Sequence, residues 1–157
     1  MNSNRIRDRL DFLWSMAQDL PGANRRGSGW QARLAAGLWI KNELIAVGWN
    51  QAKSDPFQAA WGKNGDAIYL HAEIHALKTA LGRVGENSVR NGKTTLMIAR
   101  SRRVPTEPGR RHHPHCWGIA KPCPGCWSAI QHFGIRSVIW TESGDPNQRR
   151  WTVQELA

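Results

Sequence analysis

Long hydrophobic runs are missing from this sequence, and their absence argues against a membrane-spanning helix. Such a helix needs about 20 consecutive apolar residues. None occurs in the 157 residues, although 40% of them are hydrophobic. Residues 1–19 mix arginines with aspartates and do not form the apolar stretch of a signal peptide. We therefore expect a cytoplasmic protein.

Cysteine is scarce, and its count of three is odd. This count fits a reducing compartment better than a fold held together by disulfides. Cys123 and Cys126 have the C-x-x-C spacing of metal ligands. Cys116 is left over, and we expect it to be a free thiol in a loop. The alternative is a second metal cluster with its histidine neighbours His112, His113 and His115.

Acidic residues are few. The chain has 12 of them against 22 lysines and arginines, which gives a formal net charge of +10 and a pI near 10.6. A positive field attracts polyanions, so nucleic acid is the predicted partner. The alternative is that the basic surface serves only solubility.

Internal repeats, low-complexity tracts and long linkers are also absent. The length is that of one ordinary domain, so we predict a single domain over 1–157. Within it, residues 100–119 are rich in arginine, proline and glycine. This composition disfavours regular structure and predicts a basic insertion loop.

Apolar periodicity predicts alternating helices and strands. The predicted helices cover 4–20, about 70–82 and about 124–133, and the predicted strands cover 34–40, 44–49, 94–99 and 137–141. The first two strands form a hairpin, residues 51–68 form a loop, and 151–156 form a last strand or helix. This order predicts a three-layer α/β fold, with a central mixed sheet of about five strands and two helices side by side on one face.

Two motifs begin those two helices. The first is His71-Ala72-Glu73 and the second is Pro122-Cys123-Pro124-Gly125-Cys126. One histidine and two cysteines supply three zinc ligands and leave the fourth tetrahedral position for a water. Glu73 is placed to move the protons of that water. A helix N-terminus favours both a carboxylate and thiolates.

On these motifs the sequence resembles the cytidine deaminase-like superfamily, whose signature is H-x-E followed by P-C-x-x-C. Gly48-Trp49-Asn50 is similar to the Gly-Tyr-Asn at the end of a strand in that family. Residues 134–140 are similar to the strand that follows its cysteine helix. The resemblance implies zinc bound by His71, Cys123 and Cys126, with Glu73 as the catalytic acid and base.

Other interpretations of the motifs are weaker. A closed structural zinc site needs a fourth protein ligand, such as His75, but it does not call for the carboxylate of Glu73. A metalloprotease places its catalytic glutamate directly after the first histidine, where this chain has Ala72. His75 is therefore expected to pack or to hydrogen-bond behind the site. The first motif is also similar to that of the riboflavin-pathway deaminases, whose cysteine spacing is longer.

The resemblance further implies contacts with the substrate. Asn50 is expected to bind the sugar or the base, and the backbone of Ala72 is expected to meet the base edge. The candidates for stacking on the base are Trp49, Trp117, Trp127 and Trp140, with Trp117 and Trp140 favoured. Most of the nine tryptophans are expected to be structural.

The predicted substrate is cytosine, because Lys121 stands where tRNA adenosine deaminases commonly have glutamate before Pro-Cys. A basic groove with stacking aromatics is typical of single-strand binding, so the prediction leans towards cytosine in single-stranded nucleic acid, DNA before RNA. The residues expected to contact phosphates are Arg100, Arg102, Arg103, Arg110 and Arg111. The alternatives are a deaminase of free deoxycytidylate or cytidylate, and a noncatalytic zinc module that binds nucleic acid.

Overall fold

The computed structural model describes residues 1–20, 33–51, 53–62, 69–103, 115–142 and 149–156. Five helices and six strands lie in these ranges. The helices are α1 (Ser3–Asp19), α2 (Pro56–Trp61), α3 (Ala72–Val84), α4 (Glu86–Asn91) and α5 (Pro124–His132). The strands are β1 (Arg33–Ile40), β2 (Glu43–Trp49), β3 (Thr94–Arg103), β4 (His115–Gly118), β5 (Ser137–Thr141) and β6 (Trp151–Glu155).

The first helix forms as its periodicity predicts. Its N-cap is Asn2, whose side-chain oxygen accepts a hydrogen bond from the Arg5 N–H at 2.9 Å. Apolar residues at three- and four-residue intervals face the sheet and are buried: Ile6, Leu10, Leu13 and Ala17. The predicted helix over 4–20 is confirmed.

The predicted hairpin is confirmed as β1 and β2, which pair antiparallel. Lys41 in its turn has a φ of 56°, a left-handed conformation. Short turns between paired strands often require this left-handed conformation, although a residue other than glycine adopts it at some cost in free energy.

The sheet has the strand order β2-β1-β3-β5-β6. The central strand, β3, pairs antiparallel with β1 and parallel with β5. Beyond β5, the same edge of β3 pairs with β4. Thr141 lies where β4 and β5 meet: its hydroxyl accepts from the Arg100 N–H at 3.1 Å and donates to the Gly118 carbonyl at 2.7 Å.

Alternate residues of the sheet face two separate cores. On one face Met97 and Ala99 pack with α1, and on the other Leu96 and Ile98 pack with α3 and α5. Helices therefore cover both faces, and the two motif helices share one of them. The predicted three-layer α/β fold is confirmed, with six strands in the described residues instead of about five.

The sequence prediction misses two helices and is wrong about the two described ends of the predicted basic loop. Residues 104–114 of that loop lie outside the described residues. The predicted loop over 51–68 contains α2, and α4 follows the predicted end of α3. The described residues of the predicted basic loop over 100–119 belong mainly to a pair of strands, because β3 continues to Arg103 and β4 begins at His115. Pairing between strands, which composition does not reveal, overrides the weak strand propensity of these arginines.

Candidate active site and metal centre

The first motif is positioned by the contact between β2 and α3. His71 is the N-cap residue of α3, and Ala72 and Glu73 occupy its first turn. Gly48 in β2 lies directly against that turn, since a Cβ atom there would be 2.6 Å from the Ala72 carbonyl oxygen and 2.3 Å from the Ala76 nitrogen. Only glycine permits this approach. The strand end that resembles the deaminase motif therefore fixes the start of α3.

The second motif begins α5. Cys123 is its N-cap, and the Cys123 sulfur accepts a hydrogen bond from the Cys126 N–H at 3.5 Å. Pro124 follows at the first helical position, where a missing N–H costs nothing. Gly125 lies against α2, because a Cβ there would be 2.5 Å from the Trp61 carbonyl oxygen. Close packing of α2 against α5 thus fixes the two cysteines.

The three predicted ligands come together. The Nδ1 of His71, the sulfur of Cys123 and the sulfur of Cys126 all lie within 4.8 Å of one another. Nδ1 is 3.2 Å from the Cys126 sulfur and 3.5 Å from the Cys123 sulfur. A tetrahedral zinc ion with ordinary Zn–N and Zn–S bonds holds such atoms about 3.6 Å apart. The donor set and its spacing therefore fit zinc.

The protonation of these groups favours metal binding at Cys123. A hydrogen bond from the Cys126 thiol lowers the pKa of Cys123 to about 4, and the His71 ring and the Cys126 N–H act in the same direction. The hydrogen bond to Cys123 raises the pKa of His71 above its usual value, with burial opposing it. The Cys126 thiol carries the shared proton, so that hydrogen bond and burial raise its pKa. Zinc binding displaces that proton, since both sulfurs must be thiolates.

Glu73 lies beside the ligands and is not one of them. It is only 4% exposed, and its carboxylate is outside the three-residue group. Burial raises the pKa of Glu73, while the charge of His71 opposes the shift. A raised pKa makes it easier for this carboxyl group to hold a proton, as a group that both accepts and donates one must do.

Gln58 in α2 is a further polar residue at the centre, and the sequence analysis missed it. Its side chain is fully buried. Its amide oxygen accepts from the His71 N–H at 3.0 Å, and its amide nitrogen lies 3.9 Å from the Cys126 sulfur. Gln58 therefore bridges a ligand from each motif. The local signal was Asp55-Pro56, an N-cap followed by proline at the first helical position.

Asp55 supports this bridge. It caps α2 through hydrogen bonds from the Phe57 and Gln58 N–H groups at 2.9 and 3.1 Å. Its second oxygen accepts from Lys78 of α3 at 2.8 Å. The hydrogen bond from Lys78 lowers the pKa of Asp55, and the two N–H groups add to that shift against the effect of burial. The ion pair holds α2 against α3.

His75 supports the strand end and is outside the ligand group. Its Nδ1 accepts from the Trp49 N–H at 3.1 Å, and the two rings meet edge to face at 4.5 Å. Burial lowers the pKa of His75, which favours the neutral ring that can accept this bond. The expectation that His75 packs and hydrogen-bonds behind the site is confirmed.

Asn50 and Ala72 lie at the same end of the sheet. The Asn50 side-chain oxygen accepts from the Leu34 N–H at 2.8 Å, and the Asn50 N–H donates to the Leu34 carbonyl at 3.3 Å. Ala72 is buried in the first turn of α3. Their contacts with a substrate, like that of the 37% exposed Trp49, stay predictions.

The two favoured tryptophans lie on different faces of the sheet. Trp140 belongs to the core on the side of α3 and α5, meets Trp127 edge to face at 6.1 Å, and donates its indole N–H to Glu142. Trp117 is buried in the other core, against α1. The prediction that Trp117 stacks on the base is therefore wrong, because the sheet separates its ring from the metal ligands.

The predicted phosphate contacts divide into two groups. Arg100, Arg102 and Arg103 belong to β3, and nothing is described of the Arg103 side chain. Arg110 and Arg111 lie outside the described residues. The former three are therefore strand residues instead of loop residues.

Cys116 also differs from its predicted setting. Its thiol is free, but it is buried in β4 instead of in a loop. His115 beside it lies 2.9 Å from the Ser101 hydroxyl through Nδ1. His112 and His113 fall outside the described residues. Within the described ranges, the only group of three metal ligands is His71, Cys123 and Cys126.

The fold and the His-Cys-Cys group are those of the zinc-binding deaminase class. The family model for the cytidine and deoxycytidylate deaminase zinc-binding region matches residues 15–142. The chain belongs to this family. A sequence comparison with curated proteins finds no match.

Solved structures show the same fold. The apo dCMP deaminase from the cyanophage S-TIM5 is 18% identical with a TM-score of 0.53, over 94% of this chain and 90% of that one. Its complex with dCMP and dUMP is 17% identical with a TM-score of 0.52, over 90% and 84%. Cytidine deaminase from Burkholderia pseudomallei is 15% identical with a TM-score of 0.52, over 97% and 92%. At these identities the likeness concerns the fold alone.

In the described ranges, no helix has both the length and the apolar character needed to cross a membrane.

Proposed function

We propose that this protein is a zinc-dependent hydrolase that converts cytosine to uracil. The observation that carries the proposal is the position of Glu73, which is buried beside a complete His-Cys-Cys ligand set and is not one of its members. A purely structural zinc site needs no such carboxylate. This argues against the noncatalytic zinc module.

The residues present can perform the proton transfers of this reaction. Zinc, when bound by His71, Cys123 and Cys126, supplies Lewis acidity and makes hydroxide available near neutral pH. Glu73 accepts a proton from the attacking water and delivers it to N3 of the ring. Glu73 then accepts the remaining proton of the oxygen added at C4 and passes it to the 4-amino group. The C4–N bond breaks, ammonia leaves, and the C4–O bond becomes the carbonyl of uracil. The raised pKa of Glu73 suits a group that must hold a proton between these transfers.

Cytosine is proposed over adenine on two grounds. Lys121 stands where the adenosine-specific relatives commonly have glutamate, and the matched family is described by cytidine and deoxycytidylate. For the form of the substrate, we propose a free cytosine nucleotide. The phage dCMP deaminase with a similar fold was crystallised with dCMP and dUMP.

A cytosine in a single strand is the second candidate, favoured by the net charge of +10 and by exposed aromatics next to the first motif, Trp49 and Tyr69. The support for a single-stranded substrate is smaller than the sequence alone indicated, because Trp117 lies on the other face of the sheet.

The zinc thiolates and the free Cys116 suit a reducing compartment, and we propose the cytoplasm.

The test is to incubate the zinc-loaded protein separately with deoxycytidine, dCMP, CMP, adenosine, and single-stranded DNA and RNA oligonucleotides. We expect uracil products and ammonia from cytosine substrates, and no inosine. A Glu73→Gln variant should lose turnover by at least about 100-fold while it keeps its zinc. Glu86→Gln, at an exposed position of α4, is the matched control. Inosine as the main product, or full zinc occupancy without any turnover in the wild type, would contradict the proposal.

A further inference from the structure

Two arginines of β3 face the side of the sheet that carries the metal ligands. Side chains alternate along a strand, so Arg100 and Arg102 share the face of Ile98, which packs in the core with Cys126. Ser101 between them points to the other face and lies opposite Trp117. Both guanidinium groups therefore extend on the side of α3 and α5.

They also lie at the end of the sheet where both ligand motifs begin. On one side, Arg100 pairs with Leu34 of β1, whose N–H donates a hydrogen bond to the Asn50 side chain. The next residue, Gln51, donates its N–H to the carbonyl of Leu70, which precedes His71. On the other side, the Arg100 N–H donates to Thr141, whose carbonyl accepts from the Ala120 N–H. That residue precedes Cys123 by three positions. Hydrogen bonds thus place the start of this arginine pair between the two segments that deliver the ligands.

The two side chains have no partner of opposite charge among the described residues. Every ion pair there uses other cations, namely Lys78, Arg90 and Arg149. The Nε atoms of Arg100 and Arg102 are buried and find no hydrogen-bond acceptor in the described chain. Leaving a buried charged donor unpaired is costly, and two neighbouring cations repel each other. An anion between them would remove both costs.

The strand next to them leaves room for this arrangement. A Cβ at Gly118 would lie 3.1 Å from Cδ of Arg100 and 3.2 Å from Cβ of Arg102. Glycine at this position leaves room for the Arg100 stem to lie over β4 and for the first carbon of the Arg102 side chain beside it. The Arg100 stem thus packs against the backbone of β4.

We propose that Arg100 and Arg102 form a phosphate subsite of the active site, which binds the phosphate of a cytosine nucleotide and selects it over the nucleoside. Guanidinium groups match phosphate oxygens with paired N–H donors. The proposal rests on the proposed function and assigns the pair one phosphate. That phosphate belongs either to a free nucleotide or to the backbone of a strand, and the experiment separates the two sources.

The experiment measures kcat/KM of the zinc-loaded protein for dCMP and for deoxycytidine. Hydrogen bonds to a charged group correspond to about 10- to 100-fold each. Arg100→Gln and Arg102→Gln should each lower kcat/KM for dCMP by about that factor, mainly through KM, and leave deoxycytidine unchanged. Arg136→Gln is the matched control, because Arg136 is exposed at the opposite end of the sheet. Unchanged preference for dCMP in the double variant overturns the subsite.

A measurement on the wild type alone covers the case in which the variants fold poorly. Inorganic phosphate should compete with dCMP, because both occupy the arginine pair. It should leave deoxycytidine turnover unaffected, because the nucleoside does not use the subsite. Absent inhibition, or equal inhibition of both substrates, contradicts the proposal.

Two further comparisons separate this proposal from the proposed function. Equal turnover of dCMP and deoxycytidine by the wild type overturns the subsite and leaves the deaminase standing. The protein could instead bind dCMP and inorganic phosphate through both arginines and yet deaminate no cytosine. That result supports the phosphate subsite and overturns the proposed deaminase function. Oligonucleotide turnover that exceeds dCMP turnover, and is lost in the double variant, assigns the subsite to a strand phosphate.

Discussion

The amide oxygen of Gln58 accepts a hydrogen bond from the backbone N–H of His71 at 3.0 Å, and through it a helix outside both motifs is tied to the first zinc ligand. The amide nitrogen of the same side chain lies 3.9 Å from the Cys126 sulfur. A single buried residue thus fixes the relative position of α3 and α5.

Replacing Gln58 by leucine should weaken zinc binding. Groups that orient metal ligands typically contribute about 10- to 100-fold to metal affinity. The variant also leaves the His71 N–H without its partner, so the free energy of unfolding should fall by about 1–3 kcal/mol. Competition with a chromophoric chelator measures the affinity. Gln131→Leu, at an exposed position of α5, is the control. Equal zinc affinity of Gln58→Leu and wild type would show that the bridge does not position the ligands.

Cys123→Ser and Cys126→Ser should each lose zinc, since the bound metal links the start of α3 to the start of α5. Their melting temperatures should fall to that of the wild type treated with a chelator. Cys116→Ser, which removes the buried thiol of β4, should keep full zinc occupancy. Metal analysis of the three purified variants decides the point. Zinc retained by either ligand variant, or lost from Cys116→Ser, would indicate a different ligand set.

The sequence predicted the site better than the surroundings of the site. Long amphipathic periodicity located α1 and α3, and motif spacing located the ligands, because both signals are local. The role of Gln58 was not predicted, because a buried glutamine becomes recognisable only when α2 packs against α3 and α5. The strand conformation of residues 100–103 was not predicted, because their partner strand β4 begins only at His115. Pairing across that distance leaves no local pattern in the sequence.

The sequence also could not predict on which face of the sheet a strand residue lies. Trp117 and Trp140 lie shortly before and shortly after the second motif in the sequence, yet the sheet separates them. A shift of one residue in register exchanges the two faces. Choosing between these tryptophans therefore required the pairing of β4 with β3, which the sequence alone did not provide.

Gly48→Ala should destabilise the protein although alanine is the smallest change available. The added Cβ would lie 2.3 Å from the Ala76 nitrogen, a backbone atom that cannot move without displacing α3. Overpacking of this kind costs about 1–3 kcal/mol. Gly82→Ala is the matched control, because it lies in α3 with no atom within 4 Å of the new Cβ. It should stabilise the helix by about 0.5–1 kcal/mol. Urea unfolding of both variants measures the difference, and equal effects of the same sign would contradict the close approach of β2 and α3.

The contribution of Asp55 should depend on pH. The hydrogen bond from Lys78 lowers the pKa of Asp55 below that of an unfolded carboxyl group, so ionised Asp55 stabilises the folded state. This stabilisation is fully present above the unfolded pKa of about 3.9 and is lost as pH falls through the lowered folded pKa. Asp55→Asn should therefore be less stable than wild type above about pH 5, where the carboxyl is ionised in both states. The difference should begin to shrink below about pH 4 and disappear only below the lowered folded pKa of Asp55.

Unfolding free energies of both proteins across this range test the prediction. Both proteins are measured in their zinc-free forms, so that loss of zinc in acid does not contribute to the difference. Ser54→Ala, at the exposed neighbouring position, controls for substitution in this turn. Because Asp55 caps the helix that carries Gln58, Asp55→Asn should also weaken zinc binding at pH 7. A stability difference that stays constant down to pH 3 (about one unit below the unfolded carboxyl pKa) would show that the carboxylate charge does not hold α2 against α3.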